Sequence, residues 1–562
     1  MTNAYYGNGA YNGNGAYNGN GKKGRLGVIL AIIFGIIFLS VAMLCCLYVA
    51  MKYIPRPGKT SNSSEEDVIQ YPGIYYIQDN ELYFNKFGSD DAVMIADDIL
   101  KNEDEYKAST SYTDSFNLTE DGQYILFGRD YTRENYFSQF DLYVARSDGK
   151  GEATRIGDDV CYFRVLHNNK VIFLDSDMTL YISDLEDTEK VGDNIASVRD
   201  FFLDDTQKYV LWIDQEQNLY YRPMDLSEKK KRIDKDVHSV CRFSDNFRDV
   251  LYSKDDGQYF YLYLLKDLED SEMIIENIHG YATFRANDLF HIYFFRTKDV
   301  SQAGQAGIKE QTLYYYVEGE GEEEIISGDF EYLVSMQNEE EVPVAFINYE
   351  DPKTHEITLK MARETEVTDI DLEGNTYLSY RIAEEGKLYL MAQDRAHTDD
   401  FTDPYDLYEM NFSEENFKQP ELMESDVYDV VASFNDDIYY ALDASNLDSE
   451  ATLYVNGEMI SKKAYASMYD QRYSAELFAY YTDRYYNAGN PRGTLNIYRD
   501  GESYEIAEEV FSFHIYDEQH IAVLTDLNDK KRTGDLYLYD GKDCELIAED
   551  VSAIVFTEDR FE

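Results

Sequence analysis

From Gly73 onward, short runs of Val, Ile, Leu, Tyr and Phe alternate with Asp, Asn and Gly, the pattern of β-strands divided by tight turns. The stretch 161–195 shows one period, CYFRVLHN, KVIFLDSD, TLYISDLED and EKVGDNI, which predicts four short strands in 35 residues. The third strand of the period carries a Leu-Tyr pair, at Leu82-Tyr83, Leu142-Tyr143, Leu180-Tyr181, Leu219-Tyr220, Leu262-Tyr263, Leu313-Tyr314, Leu407-Tyr408, Leu453-Tyr454 and Leu536-Tyr537, with Ile497-Tyr498 as a near equivalent. The fourth strand ends on an acidic residue or Asn followed by a hydrophobe. Examples are Asp98-Ile99, Asp159-Val160, Asn194-Ile195, Asp236-Val237, Asn277-Ile278, Asp329-Phe330, Asp426-Val427, Glu509-Val510 and Asp550-Val551.

Four strands in a repeat of about 40–45 residues is the signature of a β-propeller blade. The expected fold is therefore all-β, with about 10 or 11 four-stranded units in one large ring or two tandem propellers, over residues 71–562. The repeat is weakest between 331 and 427, where any internal boundary is expected. After Asp550-Val551 the chain continues as SAIVFTEDRF, which reads as a first strand lacking its unit. The region opens with GIYYIQDNELYFNKF, which reads as second and third strands lacking a first. The C-terminal strand is expected to complete the N-terminal unit and remove the exposed sheet edges.

Residues Asn117 to Gly157, NLTEDGQYILFGRDYTRENYFSQFDLYVARSDGKGEATRIG, resemble the blade repeat of TolB-like propellers. Thr119, Glu120, Asp121 and Gly122 stand at the turn that leads a strand, Asp141-Leu142-Tyr143 opens the next, and Asp148-Gly149 precedes the last. The units at Ser244-Asp245-Asn246 and Leu203-Asp204-Asp205 are more degenerate. The resemblance implies a propeller with a binding or scaffolding role, although a fold alone does not fix a function. Related propeller families such as prolyl oligopeptidases append a hydrolase domain with a G-x-S-x-G elbow. Neither that motif nor an unassigned stretch of about 200 residues to hold the domain occurs here.

The N-terminal region breaks from this pattern. Leu26 to Met51 is free of charged residues and long enough to cross a bilayer as one helix. It is too long for a signal-peptide core and no small-x-small cleavage site follows it, so an uncleaved single-pass anchor is expected. Three basic residues stand on each side of the span: Lys22, Lys23 and Arg25 before it, Lys52, Arg56 and Lys59 after it. Basic residues before a first span hold that end inside, which places the N-terminus in the cytoplasm and the large domain outside the cell membrane. Gly27, Ala31 and Gly35 form a stripe of small residues at which two such helices can pack; ordinary scatter of small residues is the simpler account. Residues 1–25 contain the repeat AYYGNG-AYNGNG-AYNGNG, too poor in apolar surface to order, and 52–70 reads as a linker. The tail and the helix are candidate routes to self-association.

Charge narrows the partners. The chain has 562 residues and a formal net charge of −58, and residues 1–59 hold no acidic residue. Residues 60–562 therefore carry 109 acidic against 45 basic residues. Such a balance opposes phosphate-backbone contact, so no nucleic-acid partner is expected. Five cysteines, with Cys45 and Cys46 inside the span, indicate no disulfide framework and fit a bacterial envelope.

Candidate chemistry is sparse. No HExxH, CxxC or phosphate-loop motif is present, and no cofactor is expected. Cys161, His238 and His279 directly follow the fourth-strand marker and so should begin inner strands, where they can face a central channel as a ligand or metal site; simple satisfaction of local hydrogen bonds is the alternative. Asp98, Asp159 and Asp236, with Asp329, Asp426 and Asp550, form either a carboxylate ring at one rim or a set of Asx turns into the next unit. The expected function is a membrane-anchored, non-enzymatic module that binds a protein or envelope component through one face. The alternative is a propeller-type enzyme acting on envelope glycans or peptides through carboxylates over the channel.

Overall fold

The structure is a computed structural model and describes residues 73–89, 91–99, 116–134, 137–257, 259–278, 284–286, 288–297, 311–337, 343–350, 357–373, 375–382, 387–393, 404–411, 418–434, 437–444, 449–465, 477–487 and 490–555. The tail, the 26–51 span with Gly27, Ala31 and Gly35, the 52–70 linker and His279 lie outside them. Among the described residues no helix is long and apolar enough to cross a membrane.

The described chain is nearly all antiparallel strand and falls into eleven consecutive units. Unit 2 is built from Phe116–Leu118, Tyr124–Glu134, Phe137–Arg146 and the first part of Thr154–Val165. The second part of that last strand pairs with Val171–Asp175 and opens unit 3, which Leu180–Ser183 and Thr188–Gly192 complete. Units 4 and 5 are separate four-stranded sheets over 201–234 and 237–278. Units 6 to 9 follow over 284–328, 329–370, 376–424 and 427–465, with Gly321–Gln337 and Lys418–Phe434 each serving two units as Thr154–Val165 does. Three strands of unit 10 are described, Phe478–Asn487, Asn490–Arg499 and Glu502–Val510, and unit 11 spans 512–549. The strand Cys544–Val555 then continues past unit 11 to pair with Gly73–Gln78, Tyr75 opposite Val555 and Gln78 opposite Val551. With Glu81–Lys86 and Ala92–Ala96 this makes unit 1. The closure expected from the two incomplete ends is present.

Packing runs in the same circuit. Units 1 and 2 share a core around Tyr75, Leu82, Phe116 and Phe127, units 2 and 3 one around Leu126, Leu142, Val160 and Phe173, and units 3 and 4 one around Ile172, Leu180 and Trp212. The series continues through every neighbouring pair to units 10 and 11. It ends where Ala522, Leu524 and Leu536 of unit 11 meet Ile74 and Tyr76 of unit 1. Each sheet thus buries both faces against its neighbours, which is why second strands such as VIFL, VLYS and LYLMAQ are continuously buried rather than alternating. Stacked in sequence order and joined end to end, the units form a propeller-type arrangement.

The repeated Leu-Tyr pair has a plain physical role. The Leu, or Ile497, is at most 1 % exposed at all ten positions, at the centre of the core between units. At seven of the ten positions the Tyr stands in register with an aromatic on the second strand and stacks on it: Tyr83 on Tyr76 with ring centroids 5.5 Å apart, Tyr143 on Phe127 at 6.0 Å, Tyr181 on Phe173 at 5.2 Å, Tyr220 on Trp212 at 5.4 Å, Tyr263 on Tyr252 at 5.6 Å. Tyr314 on Phe294 and Tyr454 on Tyr440 repeat the contact. Such cross-strand aromatic pairs contribute roughly 0.5–1.5 kcal/mol each beyond buried area. They account for part of the chain's 53 tyrosines.

Candidate functional site

Burial separates the two edges of each unit. Fourth strands are largely exposed and charged, as in Thr188–Gly192, Lys231–Asp234 and Asp270–Ile278. First strands are partly sheltered along most of their length, as in Phe201–Leu203, Val237–Phe243 and Ser512–Ile515. The first strands therefore line the inside of the circuit and the fourth strands its outer rim.

The fourth-strand markers are explained by backbone conformation. Asp98, Asp159, Asn194, Asp236, Asn277, Asp426, Glu509 and Asp550 all have φ between 49° and 60°. Asp and Asn tolerate this left-handed region better than other side-chain-bearing residues. The following Ile99, Val160, Ile195, Val237, Ile278, Val427, Val510 and Val551 are all 0 % exposed. In five of these units the marker falls where ladder register shifts, so it forms a bulge that bends the chain inward. The carboxylates of Asp98, Asp159, Asp236, Asp426 and Asp550 stand exposed. Asp550 accepts hydrogen bonds from Lys531 Nζ at 3.0 Å and Thr533 Oγ1 at 3.0 Å, which hold its carboxyl below the usual range.

Of the three predicted channel residues, His279 lies outside the described residues, and Cys161 and His238 stand on the first strands of different units, 3 and 5. Cys161 turns into the core between units 3 and 4, its thiol donating to the carbonyls of Leu174 and Asp175 at 3.4 Å. Burial pushes that thiol up to about 11, Cys544 likewise, and Cys241 to about 12, so none is a ready nucleophile. His238 is exposed and meets Phe260 edge-on at 5.1 Å. Among the described residues no cluster of His, Cys, Asp and Glu is arranged to hold a metal.

Sequence reasoning missed another set. Arg164 stands opposite Ile172, Arg242 opposite Leu251, Arg285 opposite Tyr293 and Arg381 opposite Tyr389. In each case the facing residue is the second of the buried run on the second strand, so the four arginines occupy one tier of the first strands in units 3, 5, 6 and 8. Units 2, 4, 7, 9 and 11 place Asn117, Phe202, Ser335, Ala432 and His514 there. No acidic residue occurs at this tier in these nine units. His514 is held neutral, its ring pushed down to about 3 by burial. Only the ladder register reveals the set, because bulges at Val237/Ser239 and Val240/Arg242 change the sequence spacing.

An open depression of about 520 Å³ lies over the turns of unit 5 beside Phe290 of unit 6. Its cations are already engaged, Arg248 with Asp267 and Lys266 with Glu318. Ser244 is held in its own turn, accepting from the Asp249 N–H at 3.0 Å. Nothing in this depression is poised for chemistry.

Neither a family model nor a curated protein matches the sequence. Solved structures similar to the chain include the tricorn protease, with 12 % identity over 87 % of this chain and 48 % of that one at a TM-score of 0.29. Dipeptidyl peptidase 4 of Porphyromonas gingivalis has 10 % identity over 69 % of this chain and 59 % of that one, at 0.33. TolB of Acinetobacter baumannii has 11 % identity over 53 % of this chain and 81 % of that one, at 0.23. The chain thus spans about half the length of the tricorn protease chain. These scores assign no activity by themselves.

One expectation is corrected. The non-enzymatic binding module rested on the absence of linear catalytic motifs, yet two of these three similar structures are named as peptidases. A site assembled from several blades leaves no linear motif, so the inference from that absence fails. The non-enzymatic reading, and with it the expectation against enzyme activity, is set aside.

Proposed function

We propose that the protein is a propeller-type enzyme acting on peptides of the cell envelope, held at the membrane by the 26–51 span with its ring outside. One observation carries the reading: the inner strands present a surface unlike the outer rim. Partly sheltered aromatics such as Tyr162, Phe202 and Phe243, packed against the cores between units, stand there with Arg164 and Arg242, while the fourth strands are largely charged and exposed. An extended chain has side chains of both kinds to place and an edge of backbone groups to pair, which suits such a lining. In this reading the hydrolytic work, addition of water across the C–N bond, falls to the marker carboxylates at the entry to the inner strands, Asp159, Asp236 and Asp426 among them.

The test is incubation of the purified full-length chain with a mixed peptide library, with new termini identified by mass spectrometry. Cleavage that falls at least tenfold in a combined Asp159→Asn, Asp236→Asn, Asp426→Asn variant supports the reading, since one positioned acid–base group contributes about 10²–10⁴-fold. A library left intact overturns it.

A further inference from the structure

The outer edges of units 4, 5 and 6 are basic, apolar and acidic in turn. We propose that these three edges form a self-complementary interface at which a second copy of this chain docks, rim to rim, about a two-fold axis through unit 5. The fourth-strand residue opposite the repeated Tyr is Arg232 in unit 4, Met273 in unit 5 and Glu324 in unit 6, facing Tyr220, Tyr263 and Tyr314. Arg232 ends the run Lys229 to Arg232, the longest basic run in a chain of net charge −58, and Glu324 ends the acidic run Glu322 to Glu324. Both runs are exposed, and Met273 between them is 43 % exposed. Charge of either sign guards a sheet edge against chance pairing. Guarding does not call for basic and acidic runs set apart on the two sides of an exposed Met.

A two-fold contact brings residue i of one copy to j of the other and j to i. With the axis through unit 5 and parallel to the ring axis, unit 4 of each copy faces unit 6 of its partner, so a basic edge meets an acidic one twice. An axis lying in the plane of the ring sets unit 4 against unit 4, and like charges oppose it. The arrangement selected by the charges keeps both rings the same way up, which suits two chains held in one membrane by the proposed 26–51 span. Unit 5 divides in the same sense. Glu272 stands opposite Leu264, on the face packed against unit 6, and Met273 opposite Tyr263, on the face packed against unit 4. Glu272 therefore adds to the acidic side. A closed ring is convex, so its rim recedes on either side of the point of contact; the long charged side chains stand where the gap widens. Their charges are also available. Among the described residues Lys229, Arg232, Glu323 and Glu324 make no ion pair, and Glu324 accepts a hydrogen bond from the Ser327 hydroxyl at 3.1 Å.

The experiment uses the full-length chain in detergent micelles, with Cys45→Ser and Cys46→Ser removing the thiols of the span and Met273→Cys placed beside the axis. A short bismaleimide should link two copies through position 273. Leu546→Cys, at the same level of unit 11 and equally exposed at 49 % for the native Leu, should link at least tenfold less. Arg232→Glu and Glu324→Arg each set like charges against one another at both contacts, and each should weaken the link about tenfold; raised salt should weaken it in the unreversed chain. Mixed in equal amounts, the two reversed variants regain opposite charges at both contacts, so the link should return between unlike copies. Near-UV circular dichroism verifies that each variant keeps its packing. No link at 273, an equal link at 546, reversals without effect, or a mixture no better than either variant alone overturns the proposal. Light scattering reads the remaining outcome. A dimer that persists through both reversals with no link at 273 assigns self-association to the span and overturns the rim contact.

Discussion

Two strands of twelve residues, Thr154–Val165 and Cys544–Val555, are built alike and joined differently. Each pairs its first part with the third strand of one unit and its second part with the second strand of the next. Each bends at an Asp of positive φ, Asp159 or Asp550, just before a fully buried Val. After the first strand the chain turns through His167–Asn169 into its own partner, so that Val165 faces Val171. After the second, the partner strand lies at the other end of the domain; Gln78 Nε2 donates to the carbonyl of Glu549 at 2.7 Å, across 471 positions. Joining points that far apart costs about 4 kcal/mol more chain entropy than closing a six-position hairpin. The same local geometry therefore makes a weaker seam where the ring closes.

Side chains reinforce that seam. Phe87 of unit 1 stacks on His520 of unit 11 with centroids 4.0 Å apart and meets the edge of Tyr516 at 5.6 Å. Ile554 and Val551 add buried aliphatic surface. The largest predicted effect contrasts Ile554→Ala with Ile172→Ala, each losing about 2–5 kcal/mol for a deleted core side chain. In native-state hydrogen exchange, Ile554→Ala should release the amides of unit 1 ahead of the rest, whereas Ile172→Ala should lower protection across units 2 to 4. Equal behaviour of the two variants would show that the closing seam is no weaker than the others.

Acid should find the same seam. His514, on the first strand of unit 11 and edge-on to Tyr516 at 4.5 Å, is held neutral down to about pH 3. In the unfolded chain it takes a proton near pH 6.5. Its folded pKa is depressed, so the stability it confers is complete above about pH 6.5 and falls as pH drops from there toward 3. Between pH 7 and pH 5 the loss is about 2 kcal/mol. His514→Phe should flatten the stability profile in that window, read as urea midpoints at pH 5 and 7. An unchanged slope would place the acid sensitivity elsewhere.

How much of this was legible beforehand follows from what each signal depends on. Strand count, the Leu-Tyr pair and the closing strand are local patterns of burial and stacking, and they survive degeneration of the repeat because a core Leu and its stacked Tyr have few substitutes. The markers were legible because only a few residue types tolerate positive φ. The arginine tier was not, because bulges shift the sequence spacing while the ladder keeps the position constant; Val160 to Arg164 is four residues, Val237 to Arg242 five. Cys161 misled for a related reason. A residue beside the marker alternates between facing the channel and facing the core, and one residue of bulge decides which.

A smaller prediction sharpens the comparison of Asp159 with Asp550. Both hold positive φ, so Asp159→Val should cost about 1–2 kcal/mol while Asp159→Gly changes stability by a few tenths. Asp550 does more than hold a conformation, since Lys531 and Thr533 bond its carboxylate. Asp550→Gly should therefore destabilise more than Asp159→Gly, and the excess should shrink in concentrated salt, where exposed pairs are screened. It should also vanish in acid. The Asp550 pKa is depressed in the folded state, so its contribution is present above about pH 4 and lost as pH falls through the folded value. Urea midpoints of the two glycine variants at low and high salt check this. A difference that ignores salt and pH would mean that the closing bulge is held by backbone alone, as the ordinary one is.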